Sequence, residues 1–413
     1  MMGLPDGWRL TTVGEAGRLQ LGRQRAPRYH SGTNMKPYLR VANVFEDHID
    51  LADLKSMHFD PEEFERYRLH DGDVLLNEGQ TPELLGRPAI YRELHGELAF
   101  TNSLIRFQAG EGVDPRWALA VFRHHMHSGR FKRESRITTN VAHLSLGRLR
   151  DVEFPLPPLG EQRRIVAILE DHFSRLDAAD LAVTDAVRRV QGFRAAVLQE
   201  AFRGSAAPVR PLLEVATIAN GQTPKGLVEN LTAHRGDGAV PFFKVGDMNA
   251  ADGRWMDEAR FFTSKQVAAR LGLRVRPPGT VLIPKRGGAI ATNKKRVLRE
   301  PACYDLNTMG LIPGAELESA YLWHWLQTVD LGRIADGSNV PQINAAQVRE
   351  MSLPVPTKEV QRSICDHLDA IGDQVARLEV EIAAARQRAG TLRAALLAGA
   401  FSGKLTVKEH VRV

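Results

Sequence analysis

Two runs of positive charge in the second half of the chain flank a pair of glycines. Lys285 and Arg286 precede Gly287 and Gly288, and Lys294, Lys295 and Arg296 close the same stretch. Glycines let a backbone approach a phosphate, and cations at both ends would neutralise it. Upstream, NGQTPKG (Asn220 to Gly226) places Gln222, Thr223 and Lys225 on a turn-forming sequence. In the first half, Arg23, Arg25, Arg28 and Lys36 form one loop-like run, and Lys132, Arg133 and Arg136 stand just before Thr138, Thr139 and Asn140. Arginine with amide and hydroxyl side chains on loops reads base edges, whereas lysines and backbone N–H groups hold phosphates. Each run taken singly is equally compatible with a solvated loop, so the elements that position the runs must decide.

Catalytic chemistry is harder to find. No glycine-rich cofactor loop is paired with an N-P-P-aromatic tetrapeptide, and NVPQ (Asn339 to Gln342) lacks the ring that would stack on a base. No G-x-x-x-x-G-K-[ST] spacing occurs. Cys303 and Cys365 are too few for cysteine-bound zinc or a disulfide framework, which suits a reducing cytoplasm and two free thiols. His124, His125 and His127 are near neighbours, but adjacent helical positions diverge by about 100° and no acidic cluster accompanies them. We therefore expect no catalytic residue, cofactor or metal on this chain. With 43% hydrophobic and 25% charged residues over 413 positions, it reads as a globular protein of two or three domains. It has neither a membrane-length apolar run nor a signal peptide, so a cytoplasmic protein is expected. A net charge of +6 permits a nucleic-acid partner without establishing one.

An internal repeat organises the chain. Residues 154 to 204 align without a gap on 353 to 403, with 15 of 51 positions identical, among them Pro155/Pro354, Pro157/Pro356, Gln162/Gln361, Phe202/Phe401 and Gly204/Gly403. Each copy opens on a P-x-P that no helix interior accepts, then runs without proline to a glycine, which predicts one long helix per copy. Apolar residues recur at alternating steps of four and three. The first copy includes Leu169, Leu176, Val183 and Val190, interrupted by His172, and the second includes Leu368, Val375, Leu378 and Ile382. Seams of that length call for a partner helix, and the nearest is the other copy.

The helices divide the chain into a domain over 1–153, a helix over 154–208, a domain over 209–352 and a helix with its tail over 353–413. The two domains echo each other. PYLRVANV matches PFFKVGDM (from Pro37 and Pro241), and DVLLNEG matches TVLIPKRG (from Asp73 and Thr280). FTNSLIRF matches DLNTMGLI (from Phe100 and Asp305), and NVAHL matches NVPQI (from Asn140 and Asn339). These short β-branched runs bounded by turn formers predict shared strands, with amphipathic helices over 115–128 and 316–329 between them. The expected fold is α+β: two β-rich domains of mixed α/β content, each followed by a long helix, the helices pairing as an antiparallel coiled coil. Of the net charge, the domain over 209–352 carries most, 18 basic against 14 acidic residues.

This order resembles the specificity subunits of type I restriction-modification systems over essentially the whole chain. PLPPLGEQRRI (Pro155 to Ile165) is similar to the P-L-P-P-L-x-E-Q-x-x-I motif that opens their long helices, and PVPTKEVQRSI (Pro354 to Ile364) is a looser copy. GQTP (Gly221 to Pro224) resembles the G-G-T-P turn of such domains, and SNVPQIN (Ser338 to Asn344) the segment before the motif, whereas LGRQRAP and TNVAHLS in the first domain depart from these patterns. The resemblance implies a non-catalytic, double-stranded-DNA-reading subunit with one target-recognition domain per half-site. It implies docking of two methyltransferase subunits and of restriction/translocase subunits, with S-adenosylmethionine, ATP and magnesium on those partners. Helices of about 40 residues rise about 60 Å, on the order of 18 base pairs, which would set half-sites about one turn apart. On that reading Gln222, Thr223, Lys225, Lys285, Arg286, Lys294 and Lys295 face one half-site, and Lys132, Arg133 and Arg136 the other. Two other classes stay open: a coiled-coil scaffold whose basic loops are merely solvated, and an enzyme with a divergent DNA-modifying site.

Overall fold

The computed structural model describes residues 4–93, 96–138, 141–203, 207–251, 253–402 and 405. The chain forms two compact units: one contains residues 1–182 together with 383–413, the other residues 183–382.

In the first unit, β1 (Gly17–Leu21), β2 (Val74–Asn77), β3 (Pro88–Ile90) and β4 (Leu104–Ala109) form an antiparallel sheet in the order β1-β4-β2-β3. A smaller sheet places Met35–Leu39 between Ala99–Phe100, parallel, and Lys55–His58, antiparallel. The α1 helix (Pro115–His127) begins where Pro115 fixes φ and the Asp114 carboxylate accepts from the Arg116 N–H, and it buries Trp117, Ala118, Val121, Phe122 and Met126. Arg9–Thr12 pairs antiparallel with Glu153–Leu156, clasping the start of the unit to the strand that leads into the long α2 helix (Leu159–Arg203).

The second unit repeats this plan. Its main sheet contains β5 (Ala216–Asn220), β6 (Trp255–Met256), β7 (Val281–Pro284), β8 (Arg296–Leu298) and β9 (Thr308–Pro313), in the order β5-β9-β7-β8-β6. Ala239–Phe243 lies between Cys303–Tyr304, parallel, and Phe261–Ser264, antiparallel. The α3 helix (Ser319–Gln327) buries Tyr321, Leu322, Trp325 and Leu326, and Val209–Pro211 clasps Ser352–Pro354 ahead of the long α4 helix (Lys358–Phe401). Three of the four sequence echoes are strands; in the fourth, NVPQI supplies only a bridge from Gln342 to Arg286 where NVAHL supplies the strand Val141–His143. Both cysteines are free and buried.

Each unit welds its long helix on in the same way. Gln162 is fully buried; its Oε1 accepts from the Asp114 N–H at 2.8 Å, and its Nε2 donates to the carbonyls of Gly112 at 2.9 Å and Pro157 at 2.8 Å. Gln361 accepts from the Glu318 N–H and donates to the Glu316 and Pro356 carbonyls, each at 2.8 Å. Trp117 Nε1–H donates to the Pro155 carbonyl, as the Tyr321 hydroxyl does to the Pro354 carbonyl, both at 3.0 Å.

The helices α2 and α4 contact each other with opposite polarity. In the first unit Val166, Leu169 and Phe173 share a core with Leu396, Leu397 and Ala400, flanked by ion pairs Asp177–Arg393 and Asp180–Arg386. In the second, Val197, Leu198, Ala201 and Phe202 pack with Ile364, Cys365 and Leu368. At the His172 interruption Phe173 is the buried residue, so the apolar stripe steps by one position there. Of the expected seam, Leu169, Leu368 and Val375 are buried and Leu176, Val183, Val190 and Ile382 are half-buried. Leu378 departs from it, at 44% exposed. A strict heptad drifts about 20° per repeat on a straight helix, and where pairing is loose nothing corrects the drift.

Two measurements check these joints. Gln162→Ala or Gln361→Ala strands three buried partners and is expected to cost about 2–4 kcal/mol in denaturant unfolding of its own unit; a cost below about 1 kcal/mol would contradict the weld. Val375→Asp should destabilise by about 3 kcal/mol or more, whereas Leu378→Asp should change stability by less than about 1 kcal/mol.

Candidate nucleic-acid interface

In the second unit four loop segments are tied into one frame by backbone hydrogen bonds. The chain leaves β5 at Gly221, where a Cβ would overlap the Asp305 carbonyl, so only glycine permits the approach. The N–H of Gly221 donates to the Thr308 carbonyl at 3.0 Å and that of Gln222 to the Tyr304 carbonyl at 2.9 Å. The N–H of Lys285 donates to the Asn307 carbonyl at 2.7 Å, Ile343 donates to the Lys285 carbonyl at 2.9 Å, and Gly287 to the Pro341 carbonyl at 2.8 Å. The turn at 221–225 and the loops at 304–308, 285–294 and 338–343 therefore lie side by side. They gather Gln222, Thr223, Lys225, Lys285, Arg286 and Lys294 from sequence-distant positions.

These residues divide into cations and frame. Lys225 and Arg286 are exposed, Lys285 and Lys294 half-buried, and none of the four makes an ion pair among the described residues. Gln222 instead turns along the frame: its Nε2 donates to the Gly272 carbonyl at 3.2 Å and its Oε1 accepts from the Arg274 N–H at 2.9 Å. The Thr223 hydroxyl accepts from the Leu306 N–H at 3.2 Å. Lys295 does not face outward as expected from its charge. It is 1% exposed, and its Nζ donates to Asn293 Oδ1 and to the Val329 carbonyl, both at 2.7 Å. Asn293, at a φ of 52°, also accepts from the Leu331 N–H at 2.9 Å, so the buried ammonium anchors the end of the glycine loop. Burial pushes this ammonium down to about 8. Exposed Arg274 joins the face through its N–H to Gln222; nothing local in the sequence marks it, because Gly272 to Arg274 reach the turn only in three dimensions.

The first unit builds the same frame with other side chains. A Cβ on Gly22 would overlap the Thr101 carbonyl, Gly22 N–H donates to the Leu104 carbonyl at 3.2 Å, and Arg23 N–H to the Phe100 carbonyl at 3.0 Å. Arg23 itself is buried between Tyr29 and Phe59 and paired with Glu63. Lys132 reaches Glu83 at 3.4 Å, and Arg133 is exposed. Arg136 begins the strand Arg136–Thr138 opposite His143, with its side chain outside the described residues, as are Thr139 and Asn140. No group of three or more His, Cys, Asp or Glu among the described residues could hold a metal, and no helix among them is long and apolar enough to cross a membrane.

A model of the type I restriction modification DNA specificity domain matches the chain twice, at residues 5–182 and 207–385. The chain belongs to that family. It is similar to the type I restriction enzyme EcoKI specificity subunit of Escherichia coli (strain K12), 25% identical over 201 residues that cover 48% of this chain and 43% of that subunit. A Methanocaldococcus jannaschii protein assigned as the MjaX specificity subunit is 24% identical over 363 residues, covering 82% of this chain and 81% of its own. Two solved chains share the fold at 23% identity. One, from work on complex assembly and conformational transition of the type I R-M system, has a TM-score of 0.78 and covers 97% of this chain and 99% of its own. The other, the HsdS subunit from Thermoanaerobacter tengcongensis, has a TM-score of 0.58 and covers 97% and 98%.

The specificity subunit thus carries two target-recognition domains and is itself non-catalytic. Its buried Lys295 gives a pH test. The folded-state pKa lies below the ordinary 10.5, so between about pH 8 and 10.5 the unfolded chain binds more protons and this group's contribution to stability rises with pH. Unfolding of wild type and Lys295→Met at pH 7, 8, 9 and 10 should show the difference moving in favour of wild type as pH rises; a pH-independent difference would contradict an ammonium buried at neutral pH.

Proposed function

We propose that this specificity subunit reads a two-part double-stranded DNA target, one half-site per domain, and carries no cofactor of its own. The observation that supports this best is the face in the second unit where Lys225, Lys285, Arg286 and Lys294 stand on a backbone frame without carboxylate partners among the described residues. Unpaired cations on a fixed surface hold phosphates, and amides and hydroxyls beside them reach base edges. The reading segments are 1–153 and 209–352, joined to the helical segments 154–208 and 353–413. In the first domain Arg133, with Lys132 and Arg136, is assigned to the DNA side.

The partners are two methyltransferase subunits and, with them, restriction/translocase subunits, which would bind S-adenosylmethionine, ATP and magnesium in the cytoplasm. The long helices support docking of other chains, since Leu181, Phe193, Val380 and Leu392 are exposed on them at 72, 57, 69 and 49%.

In the assembled complex, Lys285→Ala and Lys294→Ala should each weaken binding to every sequence and lower the salt slope by about one. Arg286→Ala should cost roughly 1–3 kcal/mol and relax one base of the target if it reads a base. Unchanged affinity and slope in all three would return this loop to solvated surface. Exchanging residues 209–352 for the equivalent domain of a relative should change one half of the methylated sequence alone.

A further inference from the structure

The two domains place opposite charges at one and the same position of their frames. In the second unit that position is Lys285, whose N–H donates to Asn307 and whose carbonyl accepts from Ile343. In the first unit the same two bonds belong to Glu78: its N–H donates to the Ser103 carbonyl at 3.0 Å, and its carbonyl accepts from the Leu144 N–H at 2.8 Å. The register continues one residue on, where Gly79 lies opposite His143 as Arg286 lies opposite Gln342. The equivalence is therefore one of backbone geometry, independent of side-chain identity.

The carboxylate is neither spent nor hidden. Glu78 keeps 25% of its side chain exposed, and His143 is its single ion-pair partner among the described residues, with Nδ1 3.3 Å from Oε2. The missing side chain at Gly79 makes room for that imidazole, since a Cβ there would come within 3.1 Å of the ring. A histidine held this way orients the carboxylate and leaves Oε1 with no hydrogen bond among the described residues. A carboxylate repels phosphate, so Glu78 cannot do in its domain what a lysine does in the other. What it can meet on duplex DNA is a donor, and the major groove offers the exocyclic amines of cytosine (N4) and adenine (N6).

We propose that Glu78, oriented by His143, is a base-reading residue of the first domain that accepts a hydrogen bond from an exocyclic amine, at the frame position where the second domain presents the Lys285 ammonium. This rests on the DNA-reading function proposed above and assigns one position of the target to one acceptor.

The test uses the full chain assembled with its methyltransferase subunits. Duplexes selected from a random pool by wild type should carry cytosine or adenine at one fixed position of one half-site. Glu78→Ala and the isosteric Glu78→Gln should relax or change that position by roughly tenfold in preference. They should leave untouched the other half-site, the one that exchange of residues 209–352 changes. In the selected duplex, replacing that cytosine by 2-pyrimidinone, or that adenine by purine, deletes the amine alone. Wild type should then lose about tenfold in affinity and Glu78→Ala nothing, and whichever replacement acts tells cytosine from adenine. A fixed preference retained by Glu78→Ala, an equal loss on every sequence, or indifference of wild type to amine deletion would overturn the assignment while leaving DNA reading intact. If wild type selects no sequence at all, the DNA-reading function and this assignment fall together.

Discussion

One buried amide in each half of the molecule fixes where a rigid helix meets a recognition domain. Gln162 and Gln361 each bind the carbonyl of the second P-x-P proline, just ahead of the helix, and both an N–H and a carbonyl at the entry to the inner helix of the domain. A glutamine is the right group for this because it both donates and accepts, so it can satisfy an N–H and two carbonyls that would otherwise be buried bare. The prolines before it are part of the same device: they stop the helix from starting earlier and leave a carbonyl free for the amide and another for Trp117 or Tyr321. Everything further out, including the loops of the frame, inherits its position from this joint.

The loops inherit it through backbone, which is what lets the two domains differ so much. The bonds that place Glu78 and Lys285 run between main-chain groups, and the glycines at 22 and 221 are demanded first by the carbonyls of Thr101 and Asp305, with the rings of Phe100 and Tyr304 also close. Sequence can change at exposed positions without moving the frame. The frame's own side chains are less free, as Lys295 shows: a charge taken out of water is retained because two oxygens, Asn293 Oδ1 at the end of the glycine loop and the Val329 carbonyl beyond α3, need its protons.

How much could be read in advance follows the same division. The P-x-P breaks, the apolar seam and the repeated strand segments act locally, so the two long helices and the duplicated sheets were legible. Short-range patterns could not tell which cations point outward. Lys294 and Lys295 are adjacent and chemically identical, yet one is half-buried with no ion pair among the described residues and the other fully buried, because Lys295 alone meets buried acceptors, Asn293 Oδ1 and the Val329 carbonyl 34 positions away. The turn-forming sequence places Gln222, but its partners Gly272 and Arg274 lie about fifty positions away and no spacing announces them. Leu378 fits the heptad and is nevertheless exposed, since periodicity states which residues share a stripe and not whether a neighbour covers it.

The first unit closes on residues from the far end of the chain. Phe401 packs its ring 5.0 Å from that of Trp117 and 4.5 Å from that of His124, and Leu396, Leu397 and Ala400 complete the same core. During synthesis the amino-terminal domain emerges long before these residues exist, so it must wait with part of its apolar surface open while the second unit is made. A chain interrupted before these helical turns therefore leaves its defect in the domain that was translated first, and chaperones and proteases would meet that defect about 280 positions away from the lesion, at Trp117 and His124.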